Sequence, residues 1–156
     1  MATRAQGYIR RSGDAEIRWT GDTRTDFLAT GQLTGGEFAL VDERASQGMT
    51  VPLHRHAEDV ESFYVLEGEV TFFLSDTSGE LVGRDGFVYI PAGETHGFRV
   101  ESTAARYLIL TTPNHGDFYR AITVAALPGG GKPDDTSTPG GAGEKYGIEF
   151  VGPLPD

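Results

Sequence analysis

Three histidines and one glutamate stand in this sequence at spacings that suit a metal ion. His54 and His56 are separated by one residue, Glu61 follows five residues later, and His96 lies behind the turn formed by residues 91–93. Because side chains two residues apart on a β-strand point to the same face, His54 and His56 would project together. Imidazole nitrogens and one carboxylate oxygen suit Fe, Mn, Ni, Co, Cu or Zn. We therefore predict one divalent transition metal ion held by His54, His56, Glu61 and His96.

The carboxylate of this set has a second possible role. Glu61 would lower the net charge of the divalent complex, and it could leave the metal to accept a proton, which makes it the predicted catalytic residue. Four protein ligands leave positions open on an octahedral ion, where a substrate or dioxygen could enter. Glu58 and Asp59 precede Glu61 in a connection and are expected to be solvated. His115 lies outside the pattern and is predicted at the surface or at a helix cap.

Composition limits the kind of partner. The chain has 156 residues, enough for one domain with one core, and its formal net charge of -10 disfavours nucleic acid and anionic membranes. It contains no cysteine, so any metal must be bound by nitrogen and oxygen. No segment approaches the roughly 20 apolar residues of a membrane span, and we expect a cytosolic protein. The expected ligand is a small molecule.

Short strands and tight turns dominate the pattern, which predicts an all-β protein. Twenty-two glycines punctuate runs of strand-forming residues. Hairpin turns are predicted at 67–69 and 76–79, and a meander of this kind closes into a small barrel or a double-sheet jelly roll. The predicted strands are Phe27–Thr30, Glu37–Val41, Met49–His54, Ser62–Glu67, Val70–Leu74, Phe87–Ile90, His96–Val100 and Ala105–Thr111.

The C-terminal third contains the only predicted helix, Gly116–Leu127, with Asn114 as a possible cap and a position outside the barrel. Residues 128–143 have the composition of a connector or lid. Beyond them, apolar residues alternate at 146, 148 and 150, which indicates a strand or a docked extended tail. The predicted organisation is an N-terminal arm (1–25), a β-barrel core (26–112), a helix (113–127), and a connector with its docked tail (128–156).

Strand parity also predicts the surroundings of the metal. If Glu61 points inward, so do Phe63 and Val65, and the same rule from His96 sends Phe98 and Val100 inward. With Met49, these residues form the predicted substrate pocket, which is apolar and partly aromatic. The same residue types also fill ordinary barrel cores, so plain packing is the alternative. It applies equally to Phe38, Tyr64, Phe72 and Phe73.

Three further side chains have structural interpretations. Arg99 and Arg106 could bind an anionic guest, but surface salt bridges are the favoured interpretation. Trp19, the only tryptophan, is expected in a subunit interface or under the N-terminal arm.

The residues of the metal pattern also carry a family resemblance. Gly48–Gly68 matches the first cupin motif, Gly-x5-His-x-His-x4-Glu-x6-Gly, at every fixed position. Residues 91–96, Pro-Ala-Gly-Glu-Thr-His, resemble the Pro-x-Gly-x-x-His part of the second motif. This second motif departs twice, with Asp85 where the family has glycine and Val100 where it has asparagine. The turn before residue 86 is therefore expected to be reshaped.

Beyond the motifs, the whole chain resembles small single-domain cupins of the quercetin 2,3-dioxygenase-like group. The resemblance implies a cupin-type β-barrel (jelly roll) with a short C-terminal helix and an extended tail, and a homodimer. It also implies a dioxygenase-like oxidoreductase in which an aromatic, polyketide or flavonol-like enol chelates the metal and Glu61 takes its proton. Two alternatives stay open: a metal-dependent isomerase, epimerase or cyclase, and a non-enzymatic cupin that binds a small ligand.

Overall fold

The computed structural model describes residues 4–75, 78–138 and 140–156, and within them most of the chain forms short strands. Three short helices accompany the strands: α1 (Gly31–Thr34), α2 (Pro113–Ala121) and α3 (Ala142–Lys145). The strands are β1 (Glu16–Thr20), β2 (Thr23–Ala29), β3 (Ala39–Ser46), β4 (Thr50–His56), β5 (Glu61–Glu67), β6 (Val70–Leu74), β7 (Glu80–Val82), β8 (Phe87–Ile90), β9 (His96–Val100), β10 (Ala104–Thr111), β11 (Val124–Ala125) and β12 (Ile148–Gly152).

The strands form two antiparallel sheets that face each other. One sheet has the order β11-β1-β2-β3-β10-β5-β8, and the other has the order β12-β4-β9-β6-β7. The ring of Phe63 on β5 lies 5.0 Å from that of Phe72 on β6 and 5.2 Å from that of Phe98 on β9, so the core fills the space between the sheets. The all-β jelly roll is confirmed, although no strand pair within the described residues joins the two sheets into a continuous barrel.

Predicted and observed strands agree best in the second half of the core. The predicted bounds of β6, β8 and β9 are those observed, and the other predicted strands overlap β2, β3, β4, β5 and β10 with shifted ends. Three short strands, β1, β7 and β11, were not predicted. Because β1 and β2 begin within the segment expected to be an arm, the seven-stranded sheet extends before residue 26. The proposed division of the chain into four regions stays a prediction.

The helix after β10 begins and ends earlier than predicted. It spans Pro113–Ala121 instead of 116–127, because proline at the first position favours a helix start and Thr112 precedes it in extended conformation. Residues 124–125 pair instead with β1. Asn114 does not cap the helix, since its Nδ2 donates to Asp59 Oδ2 at 2.7 Å. The helix also turns three residues inward, His115, Gly116 and Tyr119.

Two turns show how backbone conformation selects residues. Gly68 adopts a φ of 80°, as the predicted hairpin at 67–69 requires, and a Cβ there would lie 2.3 Å from the carbonyl oxygen of Ala104. Asp85 replaces the glycine of the second motif and takes a left-handed φ of 67°, a conformation that aspartate tolerates better than most residues. Of the other predicted hairpin, residues 76 and 77 lie outside the described part of the chain.

The C-terminal tail docks as a strand, as its alternating pattern indicated. β12 pairs with β4, with Ile148 opposite His56 and Phe150 opposite His54. The connector also packs on the body of the protein, because the indole N–H of Trp19 donates to Gly130 O at 3.2 Å. Among the described residues, no helix has the length and apolar character that crossing a membrane requires.

Candidate metal centre

The four predicted ligands meet at one point between the sheets. β4 carries His54 and His56, while Glu61 and His96 are the first residues of β5 and β9. Pairing of β4 with β9 places His54 directly opposite His96. One ligand atom from each of the four side chains lies within 4.8 Å of every other, and all four residues are buried. The cluster could therefore hold a metal ion.

Hydrogen bonds orient two of the imidazoles toward this point. His54 Nδ1 lies 2.8 Å from Pro52 O, and His96 Nδ1 lies 2.9 Å from Glu94 O. A carbonyl oxygen only accepts, so Nδ1 carries the hydrogen in both rings and Nε2 keeps a free lone pair. Backbone carbonyls commonly fix metal-binding histidines in this way.

The third imidazole gives the strongest sign that an ion belongs here. His56 is 1% exposed, yet neither of its ring nitrogens has a hydrogen-bond partner among the described residues. A buried polar group without a partner costs free energy. His56 Nε2 lies 3.7 Å from Glu61 Oε2, too far for a hydrogen bond. An ion between the two atoms would satisfy both, so the residues present fit a divalent metal.

Glu61 directs its two oxygens to different neighbours. Oε2 faces His96 Nε2 at 3.2 Å and thus belongs to the donor cluster. Oε1 accepts a hydrogen bond from the Tyr119 hydroxyl at 2.5 Å and faces His115 Nε2 at 3.1 Å. Helix α2 therefore holds the carboxylate through the oxygen that does not face His96.

The surface position predicted for His115 is wrong. It is 2% exposed, and its ring centroid lies 4.2 Å from that of His56. Residues four apart on a helix share a face, so His115 and Tyr119 point inward together. The four-residue spacing of His115 and Tyr119 could have indicated that both lie on one helix face. The predicted helix, however, started at Gly116, one residue too late to include His115.

The protonation states of the site suit metal binding. Burial, followed by the neighbouring His96, lowers the pKa of His54 to about 4, while burial and His115 lower the pKa of His56 to about 3. Burial alone would raise the pKa of Glu61, but the neighbouring imidazoles, His115 above all, hold it well below its ordinary value. Neutral imidazoles and an ionised carboxylate are the forms that bind metals.

A cavity of about 370 Å³ adjoins the centre, and His54 and Glu61 form part of its wall. Of the predicted pocket residues, Met49 and Phe98 line it. Phe63, Val65 and Val100 are inward-facing but at most 1% exposed, and they pack in the core without lining the cavity. Strand parity gives the face of a side chain but not its depth. The other apolar lining residues are Val51, Pro52, Phe118, Ile122, Ile148 and Phe150.

The connection before Glu61 is tied to helix α2. Asp59, expected to be solvated, is 7% exposed and accepts a hydrogen bond from Thr112 Oγ1 at 2.6 Å. Glu58 is exposed, as predicted.

The remaining singled-out side chains keep structural roles. Arg99 pairs with Glu101 at 2.8 Å and Arg106 with Asp42 at 2.7 Å, which confirms the predicted salt bridges. The plain-packing alternative holds for Phe72 and Phe73, which are buried, whereas Phe38 and Tyr64 are exposed.

Comparison with known proteins agrees with this geometry. A family model described as a cupin domain matches residues 42–111, which include all four candidate ligands. Quercetin 2,3-dioxygenase of Bacillus subtilis (strain 168) is 28% identical over 116 residues, covering 74% of this chain and 34% of the relative. The chain thus spans about a third of the length of that relative.

Solved structures show the same fold at low sequence identity. KdgF from Halomonas sp. matches with a TM-score of 0.62 and 14% identity over 69% of this chain and 94% of its own. The polyketide cyclase RemF from Streptomyces resistomycificus matches with a TM-score of 0.58 and 23% identity, over 80% of this chain and 96% of its own. A predicted oxalate decarboxylase from Thermotoga maritima matches with a TM-score of 0.60 and 18% identity, over 67% of this chain and 98% of its own. Residues 42–111 thus form a cupin domain, and the chain resembles the quercetin 2,3-dioxygenase-like cupins in sequence.

Proposed function

We propose that this protein is a metal-dependent, dioxygenase-like enzyme that acts on an aromatic or polyketide/flavonol-like enol. The observation that supports this most is the convergence of four buried donor groups, His54, His56, Glu61 and His96, at the wall of an apolar cavity. The cavity volume of about 370 Å³ falls in the range of small-molecule sites. A flat, largely apolar guest would pack against the cavity walls, and an acidic hydroxyl beside a carbonyl would let it chelate the metal.

The protein side chains would divide the work among them. A bound divalent ion would supply Lewis acidity that makes the enol hydroxyl more acidic. Glu61 is the carboxylate of the donor cluster and would accept that proton, while the Tyr119 hydroxyl and His115 hold its other oxygen in place. Phe98, Phe118 and the other apolar walls would exclude water from the activated substrate. Dioxygen would act as the oxidant, with both of its atoms entering the product.

Oxygen uptake tests this proposal. Metal-free protein is loaded in turn with Fe, Mn, Co, Ni, Cu and Zn, and oxygen consumption is recorded with flavonols as the test class. We expect uptake with at least one redox-active ion. Glu61→Gln should abolish it, while Glu58→Gln, an exposed neighbour, should leave it unchanged. Absence of uptake with every metal would exclude the activity for this substrate class.

A reaction without oxygen is the second candidate, because Glu61 has a partner with which it could exchange a proton. Its carboxylate accepts a hydrogen bond from the Tyr119 hydroxyl. Such a site could enolise a ketone in an isomerase, epimerase or cyclase. Anaerobic proton–deuterium exchange at the α-carbon of a β-diketone, followed by NMR, detects this chemistry. Tight ligand binding with neither exchange nor uptake would instead indicate a non-enzymatic binding cupin.

The protein is further proposed to form a homodimer through the outer face of the seven-stranded sheet. Tyr64, Phe87, Tyr89 and Leu110 are exposed there on three neighbouring strands, β8, β5 and β10, and β8 is one of the two edge strands of the sheet. Contiguous exposed apolar surface of this kind usually marks an interaction site. Sedimentation velocity should show a dimer that Tyr89→Glu dissociates; a monomeric unsubstituted protein would refute the proposal.

The expected cytosolic location stays a prediction.

A further inference from the structure

The cavity contains a second buried carboxyl that belongs to neither cupin motif. Glu43 lies on β3, is 5% exposed, and lines the same cavity as His54 and Glu61. It is not part of the cluster of possible metal ligands. Carboxyl groups are rarely buried unless a partner or a function stabilises them there. Its environment therefore indicates what it could bind.

Strand register separates Glu43 from the metal centre. On β10, Tyr107 pairs with Glu43 of β3, whereas Thr111 pairs with Glu61 of β5. The two β10 partners are four residues apart, which corresponds to roughly 13 Å along the strand. A row of core side chains that includes Val41 and Ile109 lies between these two levels. The backbone of Glu43 thus marks a second level of the interior, although its carboxyl is close enough to Glu61 and His115 for their charges to act on it.

The surroundings of Glu43 are polar, unlike the rest of the cavity. Thr25 Oγ1 donates to its Oε1 at 3.2 Å, and the Tyr107 hydroxyl donates to its Oε2 at 2.9 Å. Thr20 and Thr23 line the cavity as well. Each carboxyl oxygen has one donor and can make a further hydrogen bond. Burial raises the pKa of Glu43 to about 7, against the opposing hydrogen bonds from Tyr107 and Thr25, so near neutral pH this group can also donate.

We propose that Glu43, with Thr23 and Thr25, forms a second polar subsite that hydrogen-bonds an oxygen of the guest remote from the metal. This inference rests on the proposed function and narrows its substrate class. The preferred guest is an enol with a hydroxyl or carbonyl group at its far end, separated from the chelating oxygens by an apolar body. An enol without that distal oxygen leaves the buried subsite unpaired and binds less tightly.

A purely structural role for Glu43 is the competing interpretation, since it provides the partner of the fully buried Tyr107 hydroxyl. The two interpretations differ in one respect. A structural partner affects all guests alike, whereas a binding subsite distinguishes guests that differ only in the distal oxygen.

A pair of matched flavonols separates these interpretations. Affinities of 3-hydroxyflavone and 3,4′-dihydroxyflavone are measured by fluorescence titration on zinc-loaded protein under nitrogen. The unsubstituted protein should bind the dihydroxy compound about tenfold more tightly, the effect of one hydrogen bond in a buried site. In Glu43→Leu the two affinities should be equal within twofold, and Glu43→Gln should retain part of the preference. Asp42→Asn, at the neighbouring position on the opposite face, should behave like the unsubstituted protein.

Each outcome decides the inference. A preference that persists in Glu43→Leu overturns it, as does an equal loss of affinity for both guests. Binding of both flavonols with equal affinity to the unsubstituted protein overturns the subsite but leaves the proposed function standing. Failure of either flavonol to bind overturns the inference and the proposed function for this class. If Glu43→Leu does not fold, Thr23→Val is expected to reduce the preference, and an unchanged preference there refutes the subsite.

Discussion

At the scale of single residues, Glu61 connects the candidate metal ligands to the rest of the protein. One oxygen faces His96, and the other is held by Tyr119 and His115. Partners of this kind orient a ligand and tune its basicity. The convergence of the four candidate ligands could be predicted, because the two motifs that contain them are local in sequence. Their supporting residues could not, because they come from a helix whose burial depends on tertiary packing.

Removal of the Tyr119 hydroxyl should weaken metal binding. Tyr119→Phe leaves one oxygen of Glu61 with a single partner, so we expect metal affinity to fall about tenfold or more. Affinity is measured by competition with a chromogenic chelator. Tyr89→Phe, at an exposed tyrosine on the outer face, is the matched control. Equal affinities in the two variants would show that the hydroxyl does not position the carboxylate.

Glu43 should make stability depend on pH in the metal-free protein. Its folded pKa of about 7 lies above the ordinary value of 4.5, so the protonated group stabilises the fold at low pH. That contribution is lost as pH rises through about 7. Glu43→Gln lacks this contribution. The free energy of unfolding of the variant, taken relative to that of the unsubstituted protein, should therefore rise by about 3 kcal/mol between pH 5 and pH 8. Urea denaturation at both values measures this difference, and a constant difference would contradict it.

At the scale of elements, helix α2 is the part of the fold that the sequence predicted only partly. An amphipathic helix near residue 120 was expected, but its start depends on Pro113, and the residues after it pair with β1. Short apolar segments fit a helix or a strand equally well, and pairing with a distant strand decides between them. Contact with β3 then turns the helix face that bears His115 and Tyr119 toward the metal centre.

Close packing of α2 on β3 gives a test of this arrangement. A Cβ at Gly116 would lie 2.4 Å from the Cβ of Ala39, so Gly116→Ala must displace the helix. Helix propensity alone would stabilise this variant by about 1 kcal/mol, whereas overpacking costs about 1–3 kcal/mol, so we expect net destabilisation. Chemical denaturation measures it, with exposed Asp117→Ala as the control. A more stable Gly116→Ala protein would mean that α2 does not pack closely on β3.

At the scale of the whole molecule, the jelly roll brings distant segments to one cavity. β4, β5 and β9 supply the donors, α2 holds the carboxylate, and β12 pairs along β4 beside His54 and His56. The fold class and the donors could be predicted from turns, strand parity and motifs. The depth of each inward residue could not, because parity does not distinguish core from cavity. Met49 and Phe98, for example, line the cavity, whereas Phe63 does not line it although it also points inward.

The central claim is that His54, His56, Glu61 and His96 together hold a single metal ion. Elemental analysis of protein purified without added metal, followed by equilibrium dialysis against each divalent ion, tests it directly. We expect about one equivalent of a transition metal per chain in the unsubstituted protein and in the exposed-site control Glu58→Ala, and almost none in His54→Ala. Equal metal content in His54→Ala and the unsubstituted protein, or no saturable binding in any of them, would contradict the account.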